Sequence, residues 1–386
     1  MYIASIFGSL LIPGLLQSGL LPQVLPAILS EFDLDEAEFG IIAGTIAVVA
    51  SVLGISAAWA VPRWGAFRVF LAGYGLFALG LGAIAHLGYG LQALCMGMLT
   101  GWGLAYLHLG NGLAVQVAPD RAATMTNLLH GVNGLGKALG PSLRFVGGWR
   151  DSFLVIAGIG AVLGLAGLAG KPRTGRAGHH QEPAKEAPAR DALRQPLFWA
   201  CGALFVPIVG LELVVILWLP KYLERDAGFA PETGAWIAWL AASTILWAEC
   251  AGRFLAPWML RKIAPQTLLM GCALGSFSIL IGAGLNIWNG WLGTLALVAC
   301  GLSFSAPWPT WFAMACGYFP EHRGLLSVVS GASTSLAYML FYLLGGQIAT
   351  RWGIPWTLCL SPLLGLLIVV GAWGIMRAAN KRPPVE

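Results

Sequence analysis

Residues 197–220 read LFWACGALFVPIVGLELVVILWLP, a run of 24 residues in which Glu212 is the only charged side chain. At a rise of about 1.5 Å per residue, a helix of this length crosses the hydrocarbon core of a bilayer, which is roughly 30 Å thick. Eleven further apolar stretches occur along the chain. Because these stretches are continuous rather than alternating, and because backbone groups in lipid must be paired within the chain, they predict helices rather than barrel strands.

The sequence therefore predicts an all-α membrane protein with twelve transmembrane helices in two pseudo-symmetric six-helix bundles. We expect an N-terminal bundle over 1–170, a cytoplasmic linker over 171–195, and a C-terminal bundle with a short tail over 196–386. The charged, Pro- and Ala-rich linker lacks apolar periodicity, which is typical of a mobile segment. The predicted spans are 2–29, 39–61, 69–87, 91–117, 125–146 and 152–170, then 197–220, 234–256, 268–287, 291–316, 325–349 and 356–376.

Composition agrees with a lipid environment and excludes several classes of protein. Hydrophobic residues make up 58% of the 386 residues and charged residues only 10%, whereas soluble domains carry about 25% charged residues. The seven cysteines all lie in apolar runs without metal or redox spacing, and His179 and His180 lie in the solvated linker, so no metal site is expected. Phosphate-loop, HExxH and GxSxG motifs are absent from the sequence, which predicts neither an enzyme nor a bound cofactor.

The distribution of basic residues predicts the orientation. Most Lys and Arg side chains fall in loops on one side, and the acidic loop 31–38 lies on the other, which indicates cytoplasmic termini and a cytoplasmic linker. The expected location is a bacterial inner membrane. The net charge of +5 is clustered in loops and forms no stripe, so no nucleic-acid partner is expected. The expected partners are the lipid bilayer and a small solute, and the expected state is a monomer.

The two halves resemble each other weakly. Residues 119–121 (PDR) open the fifth span as 320–324 (PEHRG) open the eleventh, and Gly148-Trp149-Arg150 closes one as Arg351-Trp352-Gly353 closes the other. A parallel repeat of six spans predicts two bundles that rock around a central site near the bilayer midplane.

Ionisable groups deep in a span are costly and mark candidate functional sites. Asn127, His130, Asn133, Lys137 and Arg144 share one face of the fifth span. His130 and Asn133 are candidates for solute contact, and His130 is also a candidate for proton coupling. Lys137 lies about 20 Å from the cytoplasmic end, close to the midplane. It would bind an anionic group or act as a coupling charge, and the alternative is a structural ion pair with Glu212. Arg144 lies nearer the outer end, where it could simply snorkel.

The remaining candidates lie in other spans. Glu212 is a possible proton carrier, unless a cation holds it ionised. Glu249 and Arg253, four residues apart, suggest a gate or helix-end electrostatics. The alternative interpretation of each polar or aromatic candidate is a structural role, as a packing or interfacial residue. The candidates for solute contact are Asn111, Gln17, Trp308 and Trp311, and His108 is a further candidate for coupling.

The layout and several motifs resemble the major facilitator superfamily over essentially the whole chain. Residues 61–68 (VPRWGAFR) are similar to a degenerate form of its signature between spans two and three, without the usual aspartate. A narrower resemblance, to the fucose:proton symporter family and its sodium-glucose relatives, rests on segments NLLHGVNGLGKALGP (127–141), VGLE (209–212), WLPKYL (218–223), GRFL (252–255) and WPT (308–310).

Two acids of that narrower family are missing here. The first-span aspartate is replaced within LLQS (15–18), and Leu107 and His108 stand where an acid precedes Asn111. The resemblance implies a secondary transporter that works by alternating access, with H⁺ or Na⁺ as a possible coupling ion. Because Lys137 adds positive charge, a sugar acid or other organic anion is as plausible a solute as a neutral sugar. The rival interpretations are an exporter of drugs or metabolites and a transporter-like sensor that moves nothing.

Overall fold

The structure, a computed structural model, describes residues 2–87, 91–111, 113, 122–170, 189–280 and 291–380, and no strand occurs among them. The predicted linker lies outside the described residues up to position 188. In the first half the helical segments are α1 (Tyr2–Pro13), a π-helical turn (Gly14–Leu20), α2 (Leu21–Phe32), α3 (Glu36–Gly54), α4 (Ser56–Trp64), α5 (Ala66–Ile84), α6 (Leu91–Leu107), α7 (Ala122–Leu139), a 3₁₀ turn (Gly140–Phe145) and α8 (Trp149–Ala169).

The second half is built from the same kinds of helical segment. Its segments are α9 (Ala189–Leu193), α10 (Pro196–Ala203), α11 (Phe205–Lys221), a π-helical turn (Tyr222–Asp226), α12 (Pro231–Met259), α13 (Pro265–Gly275), α14 (Trp291–Ser305), α15 (Pro307–Tyr318), a 3₁₀ turn (Pro320–His322), α16 (Arg323–Trp352), α17 (Ile354–Leu358) and α18 (Leu360–Asn380).

Nine helices among the described residues are long and apolar enough to cross a membrane. Segments α6, α7 and α13 occupy the positions of the predicted fourth, fifth and ninth spans but do not reach that criterion over their described residues. The all-α membrane architecture is thus confirmed, whereas the count of twelve spans stays a prediction. Pro307 begins a new helix directly after α14 ends at Ser305, so the prolines interrupt the tenth span as the sequence indicates.

Short turns between antiparallel helices define two ends of the molecule. At the first, Asp33 adopts a left-handed φ of 51°, and the Asp35 side chain then caps α3 by accepting from the Glu38 backbone N–H at 2.7 Å. At the second, Gly65 has a φ of 81°, which a glycine adopts without strain, and joins α4 to α5. We call these the Asp33 end and the Gly65 end.

Each half has its own apolar core. One cluster of buried side chains runs from Ile6 to Ala157, and the other draws mainly on residues from Ala192 to Ile375. The halves meet mainly along two helix pairs, and α2 also contacts α11. Near the Asp33 end α3 packs on α16, where a Cβ on Gly346 would overlap the Glu36 carbonyl, and towards the middle α7 packs on α12. The site lies where the latter pair meets.

Candidate functional site

Four charged side chains meet between the halves. The Lys137 ammonium group donates hydrogen bonds to the Glu212 carboxylate and, at 2.8 Å, to Glu249 Oε1. The Arg253 guanidinium pairs with Glu249 and lies 3.8 Å from Glu212 Oε2. We call this group the central charge cluster. It joins α7 of the first half to α11 and α12 of the second.

The cluster is deeply buried and electrically balanced. The exposed side-chain fractions are 7% for Lys137, 4% for Arg253, 16% for Glu212 and 0% for Glu249. Two cations and two carboxylates sum to zero, which is how a buried set of charges avoids a large desolvation penalty. Removing or neutralising one member leaves a net charge inside the protein. Glu212 is the more exposed of the two carboxylates.

Close backbone packing fixes the position of Lys137 relative to the first span. In the first half, α7 and its 3₁₀ turn lie against α1 and the π-helical turn, so that a Cβ on Gly136 would overlap the Leu11 carbonyl and one on Gly140 would overlap Gly19. The π-helical turn also contains Gln17. Such turns insert a residue into a helix and are frequent at functional sites.

Arg253 connects the cluster to the polar face of α7. Its Nη1 donates to the His130 carbonyl at 2.9 Å and to Asn133 Oδ1 at 2.8 Å. Asn133 in turn donates through Nδ2 to the Leu10 carbonyl at 2.9 Å. One guanidinium therefore ties three helices together, a role that matches its planar, multi-donor geometry.

An aromatic group lies beside the cluster. The rings of His130 and Trp308 are 4.4 Å apart at 34°, and Trp308 stacks on Phe312 at 5.3 Å. His130 Nε2 is buried and has no hydrogen-bond partner among the described residues. A buried polar atom without a partner is costly, which favours a solute or water as its missing partner.

Two cavities adjoin each other here, and the smaller one reaches the cluster. The smaller, about 100 Å³, is lined by Lys137, Glu212, Arg253, His130 and Trp308 among others. The larger, about 580 Å³, extends towards the Asp33 end between α3, α6 and α16. Four residues line both cavities: Gln17, His108, Thr334 and Tyr338.

Most of the predicted site residues come together here. The smaller cavity collects Gln17, His108, His130, Asn133, Lys137, Glu212, Arg253 and Trp308, and Glu249 lies directly behind it. The sequence predicts Glu249 and Arg253 near a helix end. The structure instead places their charged groups at the level of Lys137, because the offset between α7 and α12 is set by packing that no single helix reveals.

Two predicted residues lie elsewhere. The Trp311 ring is fully buried in the second half and donates through Nε1 to the Cys201 carbonyl at 3.0 Å. The Asn111 amide donates to the His108 carbonyl at 3.2 Å, and neither Trp311 nor Asn111 lines the two cavities. Asn127 lies in α7, and its side chain is outside the described part of the structure.

Sequence reasoning missed Ser18, Thr334 and Tyr338, which line the smaller cavity. Ser18 and Tyr338 belong to opposite halves, and both line this cavity. The sequence does contain a signal for two of them: Thr334, Tyr338 and Tyr342 recur at intervals of four and so form a row of hydroxyl groups on one face of α16.

Further ion pairs join the halves at the Asp33 end. Lys221 pairs with Glu36, and Arg144 Nη2 lies 3.5 Å from Glu224 Oε1. Arg144 also donates to Gln23 Oε1 at 3.4 Å. Arg144, a possible snorkelling residue, is therefore partnered from the opposite half. These contacts hold the two halves together at this end.

The described residues contain no group of three or more His, Cys, Asp or Glu side chains that could hold a metal ion. The charged groups of the site are instead one ammonium and one guanidinium, which donate, and two carboxylates, which accept. This set of charges suits contact with a charged or polar organic solute.

Comparisons with known proteins agree with the geometry. The sequence matches the Major Facilitator Superfamily over residues 6–304. Among solved structures, a bacterial homologue of the human lysosomal transporter Spinster, in an inward-facing and occupied conformation, superposes with a TM-score of 0.70. The two chains are 14% identical, and the match covers 99% of this chain and 98% of the other.

A comparison with curated proteins finds no match. The narrower resemblance to the fucose:proton symporter family stays a prediction. The 299 residues from 6 to 304 comprise more than three quarters of the chain, and the fold matches that of the bacterial homologue over nearly the whole length. This chain belongs to the major facilitator superfamily.

Proposed function

We propose that this protein is a secondary active transporter that moves a small organic solute with an anionic group by alternating access, coupled to a proton. The observation that carries the proposal is the cross-half ion pair. Lys137 of the first half is held by two carboxylates of the second half, and one of these, Glu212, faces the smaller cavity. Lys137 can bind an anionic group of a solute only when a carboxylate that pairs with it is neutralised or moves away.

Protonation of Glu212 supplies that release. A neutral carboxyl group no longer attracts the Lys137 ammonium group, and the cluster then carries one net positive charge. An anionic group on the solute restores neutrality by binding Lys137. Proton and solute thereby favour each other's binding, which is the requirement for coupling. His130 and Trp308 would contact the body of the solute through ring faces and the unpartnered Nε2 atom.

The predicted orientation completes the proposal. With cytoplasmic termini in a bacterial inner membrane, the Asp33 end faces outwards. The Glu36–Lys221 and Arg144–Glu224 pairs would then close the outer side and would have to separate for solute to enter there. A monomer suffices, because both halves of the site belong to one chain.

Uptake into proteoliposomes tests the proposal with a panel of sugars, sugar acids and other organic anions, with and without an inward proton gradient. We expect one or more anions to accumulate only with the gradient. Glu212→Gln should abolish the dependence on the gradient, and Lys137→Ala should reduce uptake at least tenfold. Lys262→Ala and Glu321→Gln are matched controls, because they remove the same charges from exposed positions.

Full uptake by both cluster variants would show that the site is assigned wrongly. Na⁺ replaces H⁺ as the coupling ion if a sodium gradient alone drives accumulation. Accumulation against an outward gradient in inverted vesicles would favour the exporter. If no member of the panel moves while purified protein still binds one, the transporter-like sensor gains support.

A further inference from the structure

The larger cavity has a chemistry that the central charge cluster does not explain. Eight of its 28 lining residues carry a polar side-chain atom and none carries a full charge, which leaves 20 that are wholly apolar. Its volume of about 580 Å³ lies within the range typical of sites for small organic ligands, roughly 300–1,000 Å³. A space of this size and lining fits an apolar body.

Several of the eight polar groups are already occupied. The hydroxyls of Thr100 and Thr334 donate to carbonyls of their own helices at 2.8 Å, and the Trp149 indole donates to Glu31 at 2.7 Å. A sugar placed in this cavity would leave hydroxyl groups without partners, and each such group costs free energy on burial. An alkyl chain or an apolar ring has no hydrogen bonds to lose there, and its transfer from water into the cavity lowers the free energy.

The larger cavity adjoins the charged site. Gln17, His108 and Tyr338 line both spaces, so only these shared walls stand between Lys137 and the larger cavity. The larger cavity extends away from the cluster along α2. Its far wall includes Phe32 and Trp149, whose rings pack edge to face at 6.0 Å. Since Gln17 and Phe32 are 15 residues apart, its lining extends over roughly 22 Å along the helix axis.

We infer that the solute is a monoanionic amphiphile whose head group binds Lys137 and whose apolar body fills the larger cavity. This inference rests on the proposed function and names its substrate class. The charge of the head follows from the balance of the cluster: a single proton on Glu212 leaves one uncompensated positive charge, and one negative charge on the solute cancels it. Carboxylate and phosphodiester heads both meet this requirement.

Three probes that carry the anionic head, the alkyl tail or both test the inference. The wild-type protein is used in lipid nanodiscs. Glucuronate supplies the anionic head alone, octyl glucoside the tail alone, and octyl glucuronide both. Equilibrium binding of the radiolabelled probes is measured, with binding to empty nanodiscs subtracted. We expect octyl glucuronide to bind at least tenfold more tightly than either of the others. Over glucuronate the gain is roughly fourfold for each buried methylene, and over octyl glucoside it comes from the pairing of the carboxylate with Lys137.

A cavity-filling variant locates the tail. Ala47 of α3 lines the larger cavity, and its neighbour Val48 is exposed on the outside of the same helix. Ala47→Phe should weaken octyl glucuronide binding at least tenfold and change glucuronate binding less than twofold. Val48→Phe, the matched control, should change neither.

The outcomes separate the two proposals. Equal affinities for octyl glucuronide and glucuronate, equal affinities for octyl glucuronide and octyl glucoside, or no binding of any probe at millimolar concentration would each overturn the amphiphile inference. An unchanged affinity of Lys137→Gln for octyl glucuronide would overturn the proposed head site instead. If Lys137→Gln loses both anionic probes while the tail gives no advantage, the proposed function stands and the amphiphile is excluded.

Discussion

The central charge cluster shows how few residues determine the chemistry of the site. Lys137 and Arg253 are each paired with Glu249, and Lys137 is also paired with Glu212, so that every member neutralises another. Breaking a buried pair by removing one partner typically costs about 3–5 kcal/mol, because the other charge stays behind. The cluster therefore stabilises the contact between halves only while it is complete.

This balance predicts a rescue. Lys137→Met should lower the melting temperature of the purified protein markedly, since it leaves two carboxylates with one cation. Adding Glu212→Gln should recover a large part of the loss, because the remaining Glu249 and Arg253 form a neutral pair. The measurement is thermal unfolding of the single and double variants. Additive losses in the double variant would contradict the charge balance described above.

Sequence reasoning identified the residues of the cluster but not their arrangement. Lys137 and Glu212 stand out because an isolated charge in an apolar run needs an explanation, and an ion pair between them is one of the alternatives that the sequence leaves open. The position of Glu249 was not accessible, because an i,i+4 pair looks self-sufficient within one helix. Only the packing of α7 on α12 brings Lys137 within 2.8 Å of it.

At the scale of helices, the contact between the first span and α7 positions the site. Gly14, Gly19, Gly136 and Gly140 allow the two backbones to touch, and a Cβ at any of them would meet backbone atoms of the other helix. Small residues at helix contacts in membranes permit such close approach. The 52 glycines suggest this style of packing in general, but the sequence does not show which of them form contacts.

Gly140→Ala should therefore lower the melting temperature and reduce solute binding together, because α7 must shift away from Gly19 and carry Lys137 with it. Gly75→Ala is the matched control. Gly75 lies in α5 of the same half, no atom lies within 4 Å of the point that an added methyl group would occupy, and alanine is the better helix former. Equal melting temperatures for the two variants would show that the glycine contact is dispensable.

At the scale of the whole molecule, the halves are joined at two levels: the centre and the Asp33 end. The fold class and the two-bundle plan follow from apolar run lengths and the internal repeat, because both depend on local sequence. The contacts between the halves do not, because Glu36 and Lys221 are 185 residues apart in sequence. Their pairing is visible only in three dimensions.

The Glu36–Lys221 pair predicts a charge-swap rescue. Lys221→Glu places two carboxylates together in a poorly exposed position, so we expect a lower melting temperature and slower uptake. The double variant Lys221→Glu with Glu36→Lys should restore at least half of both losses, since it re-creates an ion pair with reversed polarity. Thermal unfolding and initial uptake rates check this. A double variant as impaired as the single one would show that the pair has no such role.

The uneven contribution of the two halves to the central charge cluster has a consequence for inheritance. The first half contributes one positive charge, whereas the second contributes two carboxylates and a guanidinium, a surplus of one negative charge. Neither half is electrically complete without its counterpart. A chimera that combined one half with that of a relative lacking the complementary charges would bury an unpaired ion. We therefore expect relatives that keep one of these four residues to keep the other three.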